Sequence, residues 1–357
     1  MTVLWLTLIT VFLLGYMGRF ITFDTGHQLS VAPPVLNKHF IVLAGLLLGV
    51  VSGLRSNIGD THNYVNIYTA QDFTWDYILE NKDPGFGVLQ RYLKMISDDP
   101  QIMIFTTGVI TNILIVLILL KYSKKIELSL FVYITGGFYL VSMNGIRQTL
   151  AAAIAFVATK FLLERKFVPY ASIIVLASFF HQSVLIMIPI YFIVGVKAWS
   201  KSTIGLIILA IGIVIGFDLF TSVLFSAIED TQYAAYKDFD EGGANVLRVA
   251  AALPPLMVAF LGRGKLRRIM PHSDVFINMT ILSIVFLIVS TQSWIFARFS
   301  LYFMLYQLVL ISWIIELFRR KDQKFIYYAM VGCYFLYYYY ENVVSLDITY
   351  KSNYIPF

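Results

Sequence analysis

Cysteine is almost absent. Cys333 stands alone in 357 residues, which excludes an intramolecular disulfide and any thiolate cluster for zinc or iron–sulfur. Charge is scarce as well: Asp, Glu, Lys and Arg make up 13% of the chain, about half the share of a soluble domain. With 59% of residues hydrophobic, a water-soluble globule is ruled out and a bilayer protein indicated. The five histidines, at 27, 39, 62, 181 and 272, have no metal-ligand spacing. A Gly-rich nucleotide-phosphate loop is missing too, which argues against ATP as a fuel. No metal and no cofactor is expected. A net charge of +6 would suggest nucleic acid for a soluble chain. In a membrane chain the distribution of that charge across the bilayer carries the meaning, and no nucleic-acid partner is expected.

What the chain does have is long apolar runs, at about 2–19, 39–54, 101–121, 128–144, 147–164, 167–180, 182–197, 202–220, 246–262, 274–291, 298–318 and 325–344. A spanning helix takes about 20 residues, so the chain reads as all-α and polytopic, with about 12 transmembrane helices in a single integral membrane domain, 1–357. Residues 2–17 have no basic residue before them and no small-residue cleavage site after them, which marks a retained helix and not a signal peptide. The pair 167–180 and 182–197 is short and is read either as two tilted spans or as a re-entrant pair.

Lys and Arg orient these spans. Twice as many of the 27 fall on the side of Arg19, Lys121, Lys124, Lys125, Arg267 and Arg320 as on the side of Arg55, Arg147 and Arg298. The richer side is taken as cytoplasmic, with both termini outside. Most of the 21 acidic residues lie on the outer side, among them Asp83, Glu229, Asp230, Asp238, Asp240 and Glu241, and they are read as solvated loop charge. The two long loops, 55–100 and 221–245, are then extracytoplasmic. In the first, apolar residues alternate with charges around the turn Lys82-Asp83-Pro84-Gly85, a pattern of amphipathic helices lying on the membrane surface.

Three arginines adjoin apolar runs at the outer interface: Arg55, Arg147 and Arg298. A lone arginine at a helix end commonly snorkels to lipid headgroups. Three at one depth, each among other polar residues, suit a phosphate or diphosphate held by bidentate guanidinium bonds. Around them stand Asp60 beyond a glycine, Tyr64, Asn144 and Gln148 on either side of Arg147, and Gln292 before Arg298. His181 interrupts the apolar stretch 173–190 with only Gln182 and Ser183 as polar neighbours. A neutral imidazole there is either a hydrogen-bonded core residue or an acceptor for a hydroxyl proton. The aromatic content of 16%, with tyrosines throughout 337–340, fits an interfacial belt or a sugar-stacking platform.

Three segments taken together carry a family likeness: R-x-x-I-G-x-x-x-x-Y over Arg55 to Tyr64, with Asp60 after the glycine; Asn144-Gly145-Ile146-Arg147-Gln148; and Phe180-His181-Gln182-Ser183. Their order and spacing resemble the EpsG family of bacterial exopolysaccharide and capsule polymerases, Wzy-like membrane glycosyltransferases. The segment from Ala297 to Phe303 and the Tyr-rich end are also similar. The resemblance implies a multi-pass protein of the bacterial inner membrane that joins undecaprenyl-diphosphate-linked oligosaccharide repeat units, which serve as both donor and acceptor, on the extracytoplasmic face. Membrane lipid surrounds it, and flippase and chain-length regulator proteins are further candidate partners. A lipid-diphosphate donor needs cations at the outer headgroup level, so Arg55, Arg147 and Arg298 are expected to stabilise the leaving group, and the acceptor hydroxyl needs a base, for which His181, the favoured one, and Asp60 are the candidates. Tyr64, Asn144, Gln148 and Gln292 are expected to position sugar hydroxyls. The rival readings are a flippase for the same lipid-linked sugar, a membrane acyltransferase acting on glycan, and a structural partner in an export complex.

Overall fold

The computed structural model describes residues 1–20, 37–227 and 242–355. His27 and the acidic residues Glu229, Asp230, Asp238, Asp240 and Glu241 lie outside the described residues. Among those described, the secondary structure is entirely helical. In chain order the α-helices are α1 (Thr2–Phe20), α2 (Lys38–Gly53), α3 (Thr61–Ala70), α4 (Trp75–Glu80), α5 (Pro84–Ile96), α6 (Gln101–Tyr122), α7 (Ile126–Thr135), α8 (Phe138–Asn144), α9 (Ile146–Val157), α10 (Thr159–Leu163), α11 (Phe167–Ser178), α12 (Met187–Ile193), α13 (Lys201–Ile215), α14 (Phe217–Ala227), α15 (Val246–Leu261), α16 (Arg263–Ile269), α17 (Ser273–Ser290), α18 (Ala297–Ile314) and α19 (Arg320–Tyr338).

Four helical stretches are long and apolar enough to cross a bilayer: Thr2–Arg19, Gln101–Tyr122, Ser273–Ser290 and Trp294–Leu317. The count reaches six if each of two bent pairs is one span, α7 with α8 (54°) and α15 with α16 (84°). The first bend falls at Gly136-Gly137, where Gly137 has φ +85°, a value open to glycine without a Cβ clash. The other apolar helices are shorter. This is a polytopic helical membrane protein. The apolar run 202–220 is divided at Gly216 into α13 and α14, and α14 occupies the start of the stretch expected to be a loop. The run 167–197 is likewise broken, into α11, a 3₁₀ turn at Gln182–Ile186 and α12.

The chain forms two compact units, residues 1–191 with 311–357, and residues 192–310. In the first unit α2 lies antiparallel against α6 along a stripe of small residues. A Cβ added at Gly49 would stand 2.9 Å from the Val109 Cα, and one at Gly53 would stand 2.8 Å from the Phe105 Cα. In lipid, where apolar surface gains nothing from leaving water, such backbone approach and its dispersion contacts supply the association. Asn112 on α6 accepts a hydrogen bond from the Tyr133 hydroxyl of α7 at 2.9 Å, satisfying two polar groups that would be costly in hydrocarbon.

The first unit has two polar ends. At one, Arg19 pairs with Glu127, Lys125 with Glu316 at 3.1 Å, and the Trp313 indole donates to the Tyr122 carbonyl at 2.8 Å. At the other lie the exit of α2, the helices α3 to α5, the break between α8 and α9, and the chain after α11. The C-terminal tail runs there as well: the Ser56 N–H donates to the Lys351 carbonyl at 2.9 Å, and Ser352 Oγ donates to the Leu54 carbonyl at 2.6 Å. The basic residues assigned to opposite sides of the membrane from sequence, Arg19, Lys124 and Lys125 against Arg55 and Arg147, fall at opposite ends of this unit. In the stretch expected to carry amphipathic helices, α5 buries Phe86, Gln90 and Leu93 and leaves Tyr92, Met95 and Ile96 exposed.

The second unit is held by polar contacts at helix breaks. Arg267 forms a fork on Asp274, with Nε to Oδ1 at 3.0 Å and Nη2 to Oδ1 at 2.9 Å. Asn278 caps the chain after α12 by donating to the Val196 carbonyl at 2.8 Å. Gln307 on α18 donates to the Ala252 carbonyl at 3.0 Å, which gives a buried amide a partner and ties α18 to α15.

Candidate functional site

The site is assembled where helices of the first unit end or break. The chain after α11 cannot continue as a helix: His181 is extended, with φ −161° and ψ 115°, before the 3₁₀ turn begins at Gln182. Facing it is the start of α5, where Pro84 occupies the first turn and Asp83 the N-cap position. An N-cap carboxylate ordinarily accepts from its own helix. Asp83 makes no such bond. Its Oδ1 accepts the Gln182 backbone N–H at 3.1 Å, capping the facing 3₁₀ turn, while its Oδ2 lies 3.3 Å from His181 Nδ1 and 2.9 Å from Arg147 Nη1.

The two loops meet closely enough to make this possible. The Gly85 N–H donates to the Phe179 carbonyl at 2.8 Å, and a Cβ on Gly85 would come within 2.7 Å of the Phe179 Cβ. Glycine is the residue that permits the approach. Asp83 thus gathers three segments far apart in sequence, and its side chain is 7% exposed. A carboxylate so withdrawn from water requires charge-assisted partners, and Arg147 with the Gln182 N–H supplies them.

Arg147 sits in the first turn of α9, just past the Gly145 break. Its side chain is 41% exposed, its guanidinium lies 5.9 Å from the Tyr64 ring centroid, and its Nε is buried with no hydrogen-bond partner. The guanidinium therefore keeps a donor in reserve. Tyr64 packs edge-on against Phe86 of α5, with centroids 6.0 Å apart, which fixes the aromatic wall of the site. Asn144, three residues before Arg147, accepts the Asp60 N–H on Oδ1 at 2.9 Å. Gly59 lets this happen: its φ is +55°, and a Cβ there would stand 2.3 Å from that same Asn144 oxygen. Beside it Ile58 has φ +79°, an uncommon conformation for a β-branched residue and one that stores strain. The Asp60 side chain makes no capping bond to α3, and Gln148 is buried in the same turn as Arg147.

Arg55 is placed otherwise than a ligand-facing arginine. It is 1% exposed. Its Nε donates to Thr61 Oγ1 at 3.0 Å, its Nη1 to the Ser52 carbonyl and to Ser52 Oγ at 3.3 Å, and its Nη2 to the Met143 carbonyl at 2.7 Å. Among the described residues no carboxylate pairs with it. Burial pulls the pKa of this group, which lies past the end of α2, down to about 10, so it remains cationic at neutral pH. Arg55 ties the exit of α2 to the chain immediately before Asn144 and Arg147. Its place in the structure is that of a strut behind the site.

Arg298 and Gln292 belong to the second unit. The Arg298 guanidinium lies 4.7 Å from the Trp294 ring centroid, and Gln292 stands in the turn after α17, its N–H donating to the Val289 carbonyl at 3.1 Å. The structure brings Asp60, Tyr64, Asn144, Arg147 and His181 to one end of the first unit, with Gln148 beside them. To these it adds Asp83, a residue read from sequence as solvated loop charge. The available signal was its position immediately before Pro-Gly, which marks a helix start, though nothing local indicated that its carboxylate turns away from that helix. Among the described residues no group of three or more His, Cys, Asp or Glu side chains converges as a metal site.

A buried carboxylate holding an imidazole at Nδ1, with a half-exposed arginine on the same oxygen, can orient a general base beside an anion-binding cation. The family model described as EpsG family matches residues 38–357, nearly the whole chain, and the chain belongs to that family. Such proteins are membrane proteins of the exopolysaccharide-polymerase type, glycosyltransferase-like in character. No curated protein and no solved structure matches the chain.

Proposed function

We propose that this member of the EpsG family joins polyprenyl-diphosphate-linked oligosaccharide repeat units, undecaprenyl diphosphate being the carrier, into exopolysaccharide at the extracytoplasmic end of its first unit. The apolar segments would act as 12 spans of a single integral membrane domain in the bacterial inner membrane, with both termini outside. The observation that carries the reading is the meeting of Arg147 and His181 on the Asp83 carboxylate, at the end of the unit where Asp60, Tyr64 and Asn144 also stand.

In the reaction an acceptor sugar hydroxyl attacks the anomeric carbon of the donor glycan. The new glycosidic C–O bond forms as the bond to the diphosphate breaks, and the electron pair leaves on the diphosphate oxygen. The hydroxyl proton passes to His181 Nε2, whose lone pair is directed outward once Nδ1–H donates to Asp83. Arg147 meets the charge that grows on the departing diphosphate with fixed N–H donors, an interaction stronger in the transition state than before it. Asp60 is the alternative base. Tyr64 offers a face for sugar stacking, and Asn144 and Gln148 supply amides for sugar hydroxyls. Arg55 acts from behind by holding the Met143 carbonyl.

The experiment is polymer formation by purified protein in lipid, supplied with undecaprenyl-diphosphate repeat units and no nucleotide. Wild-type protein is expected to produce a ladder of polymer. Arg147→Ala is expected to reduce the rate by about 10²- to 10³-fold, the usual effect of losing one preorganised anion-stabilising donor. Wild-type rates from Arg147→Ala would overturn the diphosphate assignment.

A further inference from the structure

We propose that Asp83 is a shared counter-ion: when a diphosphate draws Arg147 away, the carboxylate passes wholly to His181, so that donor binding is what prepares the base. The inference rests on the reading of Arg147 as the diphosphate contact and His181 as the base.

Three features of the geometry support it. First, the sharing falls on a single atom. Asp83 Oδ1 is committed to the Gln182 N–H at 3.1 Å, whereas Oδ2 serves both Arg147 Nη1 at 2.9 Å and His181 Nδ1 at 3.3 Å. The arginine bond is of ordinary charge-assisted length and the histidine bond is at the long limit, so the arginine holds the better share. Second, the two partners differ in freedom. The backbone on both sides of His181 is pinned, by the His181 N–H donating to the Ala177 carbonyl at 3.2 Å and the Val184 N–H donating to the His181 carbonyl at 3.2 Å. The Arg147 side chain is 41% exposed and its Nε donates to nothing. The guanidinium is also hydrogen-bonded to the Tyr64 side chain, but of the two partners it is the more exposed, 41% against 25% for His181, and has the more room to swing toward a ligand. Third, a diphosphate offers more negative charge than one carboxylate, and oxygens spaced for a guanidinium fork, so it competes effectively for Arg147.

The charged and titratable groups that face the imidazole are Asp83 from the start of α5, Arg147 from α9 and, beyond the guanidinium, Tyr64 of α3. Neither α11 at its end nor the 3₁₀ turn Gln182–Ile186 adds another. With Arg147 on Oδ2 the carboxylate is neutralised and its hold on Nδ1–H is weak, and the ring is free to carry its proton on either nitrogen. With Arg147 withdrawn, Oδ2 accepts from Nδ1–H alone, the proton is fixed there and Nε2 presents its lone pair. No base is prepared until a donor is seated, so acceptor hydroxyls are not deprotonated idly. In this scheme Asp83 is a positioning residue: it touches neither sugar nor diphosphate.

The test uses the full chain in lipid nanodiscs with histidine ring nitrogens labelled with ¹⁵N, the His181 signals being identified by their loss in His181→Gln, and inorganic pyrophosphate as the probe. In wild-type protein, pyrophosphate is expected to move the His181 ring from a mixture of tautomers to predominantly Nδ1–H. Arg147→Gln should show the Nδ1–H form already without pyrophosphate. Asp83→Asn should bind pyrophosphate and show no such change. Pyrophosphate that binds wild-type protein, observed by its ³¹P signal, while the His181 tautomer stays mixed would overturn the coupling and leave the Arg147 assignment standing. Equal pyrophosphate binding by wild type and Arg147→Gln would instead overturn the reading on which the inference rests. Should Asp83→Asn fail to fold, Arg147→Gln decides alone: a ring as mixed as in unliganded wild type counts against the coupling.

Discussion

The two polar ends of the first unit use similar residues in opposite ways. At the end of Arg19, two carboxylates are each matched to a cation from another segment: Glu127 takes Arg19 and Glu316 takes Lys125. Glu127 is wholly buried and its Oε2 accepts from no described residue, so this is a staple between α1 and α7. At the end of Arg147, one carboxylate is divided between a half-exposed arginine and a histidine, and the surplus capacity lies on the arginine. The staple end spends its charges on holding helices together. The other end leaves a half-exposed guanidinium at the water boundary, as a place that must receive and release an anion requires. A mutation at the first end should therefore change stability, and one at the second should change turnover.

The largest departure is expected from the assignment of the base, after the loss already given for Arg147→Ala. His181→Ala is expected to lower polymerisation by about 10²-fold or more, within the range for a lost general base, with the melting temperature in lipid little changed, while Asp60→Asn keeps most of the rate. Full turnover in His181→Ala together with loss in Asp60→Asn would move the base role to Asp60. Next comes the opposite end. Arg19→Met leaves the buried Glu127 without its cation and is expected to cost about 3 kcal/mol of stability, measured as a fall in melting temperature. Polymer synthesis at a low assay temperature should persist. Glu127→Gln in the same chain should recover part of the loss, and a turnover defect without a stability defect would break the contrast between the ends.

How far the sequence reveals this arrangement depends on the range over which each interaction acts. Helices and membrane class are written in local composition, and the breaks before Arg147 and at His181 in the residues Gly145 and His181-Gln182 themselves. The bend between α7 and α8 falls inside the run 128–144, which reads as one span in sequence, and Gly136-Gly137 is the local signal for it. Asp83 was hidden because its importance comes from Arg147 and His181, 64 and 98 positions away, while its near neighbours Glu80 and Lys82 resemble any solvated turn. Arg55 misled in the reverse sense. A guanidinium at the outer end of an apolar run looks the same in sequence whether it faces a ligand or is enclosed, and only the folded chain reveals that Ser52, Thr61 and Met143 surround it.

Gly59→Ala should have a smaller effect, confined to the site end. The substitution asks a Cβ to occupy the space of the Asn144 amide at a φ of +55°. The loop must yield, the Asp60 N–H loses its acceptor, and a cost of about 1–2 kcal/mol follows from the strain alone. Turnover should fall about tenfold because Asn144 and Arg147 share one turn. Asn144→Gly takes away both the amide oxygen and the Cβ that the new methyl would meet, at 2.3 and 2.7 Å, so the double variant Gly59→Ala with Asn144→Gly should recover stability relative to Gly59→Ala alone. A double variant no more stable than Gly59→Ala would show that φ, and not the contact, dominates.

The smallest effect belongs to the tail. Ser352 Oγ donates to the Leu54 carbonyl at 2.6 Å and accepts the Tyr354 and Ile355 N–H groups at 3.1 and 3.2 Å, which pins the end of the chain beside the exit of α2. Around it the Lys351 N–H donates to Asn57 Oδ1 at 2.8 Å and Asn57 Nδ2 to the Thr349 carbonyl at 2.7 Å, so the tail is held redundantly. Ser352→Ala should lose about 1 kcal/mol, the net worth of a partly buried hydrogen bond, and leave the polymer rate within twofold. Hydrogen exchange is the sharper measurement. Amides of residues 54–57 should exchange faster in Ser352→Ala, while those of the Gln182–Ile186 turn, anchored by Asp83 and remote from the tail, keep their rates. Faster exchange in both segments would mean that the tail supports the base as well as the Arg55 strut, and that the site end is a single cooperative structure.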